Sequence, residues 1–367
     1  MRIAQVAPLY ESVPPQLYGG TERIVSYLTE ELVRLGHEVT LFASGDSTTG
    51  AELVPACERS LRLDPDCRDR LAHHVRMVEG VAKRSADFDV VHYHIDYLHY
   101  PISRREPVPQ LTTLHGRLDL PELVPLYDEY RDMPVVSISD AQRAPLPQAN
   151  WLATVHHGLP LPRFRAGRGR GGHLAFIGRT SPEKGLPRAI EIAQRAGLPL
   201  RIAAKVDDAD RDYFRTAIEP LLRAPEIEFV GEIGEAEKSA FFGDARALLF
   251  PIDWPEPFGL VLIESLACGT PVIAFPGGSV EEILTDGRTG FVVRSIDAAV
   301  AAVDRVGEID RAACRREAER RFSVERMTRD YVALYKTLAG TAETFAAEES
   351  DVSSLPVPAD LLPETSH

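Results

Sequence analysis

The sequence predicts an α/β protein with two domains of similar size, each built on a parallel sheet covered by helices. Strand-like apolar runs alternate with helical segments through the first half of the chain. The same alternation restarts after Pro160–Gly172, a stretch rich in Pro, Gly and Arg that we interpret as a linker. Parallel strands need a crossover, usually a helix, so this alternation is typical of parallel sheets. A length of 367 residues also suits two domains at roughly 100–200 residues each.

The first half supplies one domain, residues 1–160. After the first strand comes a Gly19-Gly20 loop, and Thr21 is expected to cap the helix that follows. That helix presents its apolar residues on one face and is expected to end at Gly36. The predicted strands of this half are Ile3–Ala7, Val39–Ala43, Val90–His94, Gln110–Leu114 and Val135–Ser139.

The second half supplies the other domain, residues 161–326. A helix is predicted to begin near Leu186, and a second helix over Gly259–Cys268 is apolar nearly all round, which predicts burial. The last part, residues 340–367, contains six acidic residues but neither Lys nor Arg, and we expect a disordered acidic tail. The predicted strands of this half are Leu174–Gly178, Leu200–Ala204, Ile227–Val230, Ala247–Pro251 and Pro271–Phe275.

Composition excludes several classes of function. The net charge of −14 comes partly from the tail, so the folded part is mildly acidic and does not suit a nucleic-acid binder. The four cysteines are dispersed, which favours reduced thiols and a cytoplasmic location. No run of about 18 apolar residues is present, so no transmembrane segment is expected, and the N-terminus does not have the layout of a signal peptide. Peripheral contact with a membrane remains open.

Chemistry is most concentrated after the predicted strand Ala247–Pro251. Glu264 sits in the middle of the apolar helix, where a carboxylate costs several kcal/mol unless it has partners. Ribose hydroxyls would be suitable donors, and a neighbouring Arg or backbone amide is the alternative. Glu256 precedes the helix, whose first amides near Gly259 and Leu260 can bind phosphate. A solvated loop carboxylate is the alternative for Glu256.

Two cations follow the predicted strand Leu174–Gly178. Arg179 can bind phosphate through its planar fork and Lys184 as a point charge. Together they would neutralise a diphosphate leaving group without a metal. The alternative is a solvated loop that carries surface cations.

Residues after two strands of the first domain are further candidates. Gly19 and Gly20 would let the backbone approach a ligand closely, although an ordinary turn has the same composition. His115 directly follows a strand and is well placed to hydrogen-bond a sugar hydroxyl. The alternative for His115 is a structural role in which protein groups satisfy both nitrogens.

Other patterns point to ligands less well. Gly167, Gly169 and Gly172 fit a G-x-G-x-x-G pattern but precede a strand, so they do not form a dinucleotide-binding loop. His92, His94 and His99 could suggest a metal cluster, but no carboxylate or cysteine partner has suitable spacing. Asp64-Pro65-Asp66 resembles a metal-binding D-x-D without a preceding strand. No metal site is therefore expected.

On the basis of these motifs, the chain resembles the family 4 retaining glycosyltransferases of GT-B fold over residues 1–339. The resemblance implies two Rossmann-like domains that face a central cleft. The most specific element is the segment E-P-F-G-L-V-L-I-E, Glu256 to Glu264, which matches the family's E-x7-E motif. Beside it stand G-R-x-x-x-E-K-G at Gly178–Gly185, the early Gly-Gly loop, and A-x-G-x-P-V-I at Ala267–Ile273. One departure is His157-Gly158, where relatives often have Asn-Gly before the hydrophobic residue of the interdomain segment.

The resemblance implies a role for each candidate. Arg179 and Lys184 would bind the diphosphate, and Glu264 would bind the ribose. The segment Gly231–Gly234 would lie beside the base, and residues 327–339 would form a helix that crosses back to the first domain. Glu256, with the backbone of Phe258, Gly259 and Leu260, would hold the donor sugar, and His115 would contact that sugar in the cleft. Gly20, next to Gly19, would approach the phosphates.

The expected activity is transfer of a sugar from a nucleotide-diphosphate sugar with retention of configuration and without metal or other cofactor. A UDP-sugar is the preferred donor. The acceptor, a glycan, lipid or small molecule, would meet the loops Tyr10–Gly20 and Asp96–Tyr100. The alternatives are a sugar-nucleotide epimerase or a phosphorylase of the same fold, or a non-catalytic carbohydrate-binding protein.

Overall fold

The computed structural model describes the backbone of residues 1–353 and the side chains of residues 1–340. Residues 1–154 contribute one set of parallel strands: β1 Arg2–Val6, β2 Glu38–Ser44, β3 Glu52–Cys57, β4 Val90–Tyr93, β5 Gln110–Thr113, β6 Pro134–Ser137 and β7 Asn150–Thr154. Later residues contribute a second set: β8 Leu174–Arg179, β9 Leu200–Lys205, β10 Ile227–Gly231, β11 Ala247–Phe250, β12 Val272–Ala274 and β13 Gly290–Val292.

Both sheets have the same winding. The first runs β3-β2-β1-β4-β5-β6-β7 and the second β10-β9-β8-β11-β12-β13, with parallel pairing throughout. In each, the chain starts in the middle, winds to one edge and returns to build the other, which is the doubly wound Rossmann-like order. The predicted pair of α/β domains is confirmed.

Helices cover the sheets and complete the two cores. Those of the first domain are α1 Gly20–Arg34, α2 Arg70–Lys83, α3 Tyr100–Ser103, α4 Leu123–Glu129 and α5 Asp140–Arg143. Those that follow are α6 Leu186–Arg195, α7 Arg211–Tyr213, α8 Glu235–Asp244, α9 Leu260–Ala267, α10 Val280–Ile283, α11 Ile296–Arg305, α12 Arg311–Arg321 and α13 Val324–Ser353. As expected, α9 is buried over most of its length.

Three strands, β3, β7 and β13, were not predicted. All three lie at sheet edges, where one side of the strand has no partner and the apolar pattern is weak. β3 also contains Pro55, and β13 is only three residues long. The expected cap at Thr21 is wrong as well, because α1 begins at Gly20 and the capping position is Gly19.

The segment interpreted as a linker is packed tightly against the second domain. Gly167 donates a backbone hydrogen bond to Cys268, and a β-carbon at Gly167 would lie 2.1 Å from the carbonyl oxygen of Gly243. Arg311 donates to the carbonyls of Gly167, Gly243 and Ala245 at 3.1–3.2 Å. Gly167, Gly169 and Gly171 therefore serve close packing, whereas Gly172 adopts φ 72° with open space around it.

The last helix, α13, returns to the first domain. The Tyr335 hydroxyl accepts from Gln5 Nε2 at 3.1 Å and lies 2.7 Å from His92 Nδ1. The helix continues to Ser353, so residues 340–353 are helical where the sequence predicted a disordered tail. Ala and Glu favour helix there and extend a helix that has already been started by packing. Residues 354–367 of the predicted tail lie outside the described residues.

Of the helices in residues 1–353, none combines the length and apolar character that a bilayer span requires.

We expect Tyr335→Phe to destabilise the protein by about 1–3 kcal/mol, because Gln5 and His92 would each lose a buried partner. Tyr213→Phe is the matched control and should stay within about 0.5 kcal/mol. Urea denaturation of both variants measures the difference. Equal midpoints for Tyr335→Phe and the wild type would contradict this account of how α13 is attached.

Candidate active site

The two sheets direct the carboxyl ends of their strands into one cleft. In a doubly wound sheet, ligands bind beside the point where the strand order reverses, here between β1 and β4 and between β8 and β11. The loops after these four strands line a cleft of about 630 Å³ between the domains. A cavity of this size can hold a molecule as large as a nucleotide sugar.

The loop after β8 places Lys184 in the wall of the cleft. Gly185 adopts φ 72°, and a β-carbon there would lie 2.0 Å from the carbonyl oxygen of Pro251, so only glycine allows this approach. Lys184 Nζ lies 2.5 Å from Glu256 Oε2 and 4.5 Å from the centre of the Trp254 ring. Trp254 Nε1 donates to the same Glu256 oxygen at 2.9 Å. Both contacts of Glu256 thus use Oε2.

Arg179 lies at the end of β8, next to Lys184. Its Nη2 is 2.9 Å from Glu183 Oε1, which also accepts from Ser181 Oγ at 2.7 Å. The Arg179 Nε is buried and has no hydrogen-bond partner. Donor capacity therefore remains on this guanidinium for a further acceptor.

Glu264 has one partnered and one unpartnered oxygen. The residue is 1% exposed, and Lys238 Nζ on α8 lies 2.6 Å from its Oε1. Its Oε2 is buried and has no hydrogen-bond partner among residues 1–340. A cation thus pairs with Glu264, as in the alternative interpretation, but the cation is a lysine and it satisfies only half of the carboxylate. Lys238 follows Gly234 by four residues, yet nothing in the spacing indicated that it meets Glu264.

The start of α9 and the Gly-Gly loop face each other across the cleft. Gly259 precedes α9 with φ 80°, so the first amides of the helix are presented at the cleft. A β-carbon at Gly20 would come within 3.4 Å of Leu260 Cδ1. Gly19 adopts φ 145°, where a β-carbon would lie 2.7 Å from Pro15 Cβ. Gly19 therefore holds a position that a larger residue would disturb, whereas at Gly20 a β-carbon would make an ordinary contact with Leu260.

Ten of the eleven predicted site residues line the cleft: Gly19, Gly20, His115, Arg179, Lys184, Glu256, Phe258, Gly259, Leu260 and Glu264. Gly234 does not. It precedes α8, where its amide donates to the Glu237 side chain at 2.8 Å. Its neighbours Glu232 and Ile233 line the wall instead.

His115 occupies the cleft as a neutral imidazole. Burial lowers its pKa to about 3. Its Nε2 lies 2.9 Å from His94 Nδ1, and His94 Nε2 lies 2.8 Å from Gln5 Oε1. The Gln5 oxygen can only accept, so His94 carries its proton on Nε2 and accepts at Nδ1. His115 must then donate from Nε2, which leaves an unprotonated Nδ1 that is buried without a partner.

Two further histidines of this region, His92 and His99, are engaged by protein groups. His92 contacts Tyr335 and Thr113 at 2.7 Å, and His99 contacts Ser103 and Thr112 at 2.6 and 2.8 Å. These imidazoles form part of the core. Among the residues with described side chains, no group of three His, Cys, Asp or Glu is placed to hold a metal ion.

An ion pair and a hydrogen bond connect the two domains beside the cleft. Arg23 Nη1 on α1 lies 2.5 Å from Glu235 Oε2 on α8. Ser139 Oγ, after β6, donates to the carbonyl of Pro257 at 2.6 Å. The loop that contains Glu256 is therefore held by both domains.

Comparison with known proteins agrees with this architecture. The model of the domain described as Glycosyl transferases group 1 matches residues 168–321, and the model described as Glycosyltransferase Family 4 matches residues 18–151. Glycogen synthase from Mycobacterium tuberculosis (strain CDC 1551 / Oshkosh) is 27% identical over 99% of this chain and 100% of its own length. Phosphatidyl-myo-inositol mannosyltransferase from Mycolicibacterium smegmatis is 26% identical over 93% of this chain and 95% of its own.

A solved structure shares the fold. HepE from Anabaena, crystallised with UDP-glucose, superposes with a TM-score of 0.71 at 15% identity, covering 92% of this chain and 100% of that one. Two facing Rossmann-like domains with the cleft between them are the GT-B fold. The chain belongs to the family 4 glycosyltransferases.

We predict that nitrogen NMR of the wild type will find His115 protonated at Nε2 only. In Gln5→Leu, His94 loses the acceptor that fixes its proton, so both histidines should give shifts averaged between tautomers. Gln194→Leu, on the surface of the second domain, is the control and should leave the shifts unchanged. A wild-type His115 protonated at Nδ1 would contradict the assignment.

Proposed function

We propose that this glycosyltransferase moves a sugar from a nucleotide-diphosphate sugar, with a UDP-sugar as the preferred donor, to an acceptor hydroxyl. The reaction retains the anomeric configuration and needs no metal. The observation that carries the proposal is the convergence of Arg179, Lys184 and the first amides of α9 beside the half-satisfied carboxylate of Glu264.

The donor is bound mainly by the second domain, residues 161–326. Glu264 Oε2, buried and without a donor, accepts from a ribose hydroxyl. The diphosphate lies between Arg179, Lys184 and the start of α9, where positive side chains and helix amides meet. On binding, the two cations exchange their contacts with Glu183 and Glu256 for phosphate oxygens.

The transferred sugar lies between Glu256 and His115. Glu256 Oε1, which neither Lys184 nor Trp254 uses, accepts from a sugar hydroxyl. His115 Nδ1 accepts from another hydroxyl, since its lone pair has no partner in the protein. The acceptor enters from the first domain, residues 1–160.

The chemistry follows from where charge develops. The bond between the anomeric carbon and the β-phosphate oxygen breaks, and both electrons leave with the diphosphate. Arg179, Lys184 and the helix amides are already in place to stabilise that charge, so no reorganisation of solvent is needed. The acceptor oxygen bonds to the same face of the carbon, and its proton passes to a β-phosphate oxygen. Closure of the two domains limits hydrolysis by water.

Related proteins support the donor class and leave the acceptor open. HepE was crystallised with UDP-glucose, which makes this compound the first donor to test. The two relatives described above are named for glycogen and for phosphatidyl-myo-inositol, which differ in chemistry and therefore do not point to one acceptor.

Replacing Lys184 by alanine should reduce kcat/KM for transfer about 100-fold or more, because a charge aimed at the leaving group is lost. Glu264→Gln should instead weaken nucleotide binding about 10-fold or more, since a hydrogen bond to a buried carboxylate is removed. Steady-state kinetics and calorimetry with UDP separate the two effects. Lys83→Ala, an exposed lysine on α2, is the control. Wild-type behaviour of both variants would refute the site assignment.

A thermal-shift screen of UDP-, GDP-, ADP- and dTDP-sugars, with and without EDTA, should show one selective stabilisation that EDTA does not change. Product analysis by NMR should then show the anomeric configuration of the donor. An inverted product refutes retention, and a shift abolished by EDTA refutes metal independence. Turnover without an acceptor, or only with inorganic phosphate, would instead favour the epimerase or phosphorylase alternatives.

A further inference from the structure

The wall of the cleft formed by the first domain carries two carboxylates that form no ion pair with the described side chains. Glu22, in the first turn of α1, is 5% exposed; the main-chain amides of Glu11 and Glu22 donate to its carboxylate, and the charges of Arg62 and Glu11 act on it with opposite signs. Asp96 follows β4, lines the same wall and forms no ion pair among residues 1–340. We call these two residues the acceptor-side carboxylates.

The cations of this wall are already committed to other groups. Arg62 lies 2.7 Å from Glu11, which is only 6% exposed, so withdrawing Arg62 would leave a buried charge unpaired. Arg23 pairs with Glu235 and donates to the carbonyl of Leu17 at 2.7 Å. Arg117 pairs with Asp119 at 2.7 Å in an exposed contact.

The remaining ionisable residues of the wall do not add positive charge. Burial lowers the pKa of His74 and of His115, so both are neutral near pH 7. Once the pH is above about 7, so that Glu22 is ionised, the wall is net negative through Glu22 and Asp96. The donor side differs, because Arg179, Lys184, Lys205 and Lys238 line it together with Glu232, Glu256 and Glu264, and the amides of α9 add positive potential.

Two tyrosine rings lie on the same wall. Tyr10 and Tyr97 are each 38% exposed and line the cleft beside the acceptor-side carboxylates. An exposed tyrosine offers a flat apolar face and a hydroxyl, which suits a ring that has both apolar and hydroxyl-bearing surfaces.

The backbone at Asp96 is unusual. Its φ of 50° lies in the left-handed region, which Asp and Asn tolerate better than other side chains that carry a β-carbon. Such conformations are concentrated at functional sites. Asparagine therefore keeps both the shape and the backbone preference while removing the charge.

We propose that the acceptor is a sugar without a phosphate group, whose hydroxyls donate to Glu22 and Asp96 and whose ring packs on Tyr10 and Tyr97. Ionised carboxylates only accept hydrogen bonds, so they select hydroxyl donors and repel a phosphate. The inference rests on the proposed transfer from a nucleotide sugar.

The test compares matched pairs of acceptors: glucose with glucose 6-phosphate, and myo-inositol with myo-inositol 1-phosphate. Burial raises the pKa of Glu22 to about 7, so assays are run at about pH 8, where its carboxylate is ionised. With saturating donor, we expect kcat/KM to favour the neutral member of each pair by about 10-fold or more. Preference for a phosphorylated member overturns the proposal.

The double variant Glu22→Gln with Asp96→Asn tests whether the two carboxylates recognise the acceptor or only stabilise the fold. It should reduce the preference for the neutral member by about 10-fold while the donor Kd is unchanged, because repulsion of phosphate is removed. Equal losses for both members of a pair would show a structural role and overturn the proposal. Glu58→Gln, an exposed change outside the cleft, should leave the preference as in the wild type.

If none of these four compounds serves as an acceptor, the proposal is tested by titrating inorganic phosphate into the protein saturated with UDP. Absence of phosphate binding at millimolar concentrations supports the proposal, and a site with Kd below about 1 mM overturns it. Failure of every nucleotide sugar to bind is a different result, because it refutes the proposed function itself.

Discussion

The half-neutralised carboxylate of Glu264 is the constraint on which the donor side of the cleft depends. The helix that carries it, α9, is buried along most of its length, so the charge lies where water cannot solvate it. A buried carboxylate without a partner costs several kcal/mol, and Lys238 removes part of that cost by pairing with one oxygen. The ion pair between Lys238 on α8 and Glu264 on α9 therefore holds the two helices together. Because it uses only Oε1 of Glu264, Oε2 remains available to a ligand.

Ion pairs hold the cations of the cleft in position while keeping the site close to neutral. Lys184 is fixed between Glu256 and the Trp254 ring, and Arg179 against Glu183. Glu282 extends this arrangement across the domain boundary, since it accepts from the amide of Asp140 at 2.9 Å and contacts His156 Nε2 at 2.5 Å. The side chains that would bind a diphosphate are thus preorganised, and binding requires an exchange of partners rather than a new fold of the loops.

A chain of buried hydrogen bonds connects the cleft with the last helix. It runs from His115 through His94 and Gln5 to Tyr335, and continues to His92. Each member is buried in a region of low polarity, so its donors and acceptors must match one another. One consequence is that the proton of His115 points at His94, which leaves Nδ1 unprotonated. A residue of the cleft is thus oriented by contacts with α13, which begins more than 200 residues later in the chain.

The sequence by itself determined the two α/β domains and most of the residues that line the cleft on the side of the second domain. Strands, glycine turns and the residues directly after them lie close together along the chain, so Arg179, Lys184, Glu256 and Glu264 could be predicted from local pattern. Three of the four edge strands were missed because their apolar pattern is short or weak, and Gly234 does not line the cleft but donates its amide to Glu237. Only the tertiary structure decided that Lys238 meets Glu264 across 26 residues and that Gln5 meets Tyr335 across 330. Contacts of this kind depend on how helices and sheets pack, and no spacing in the sequence encodes them.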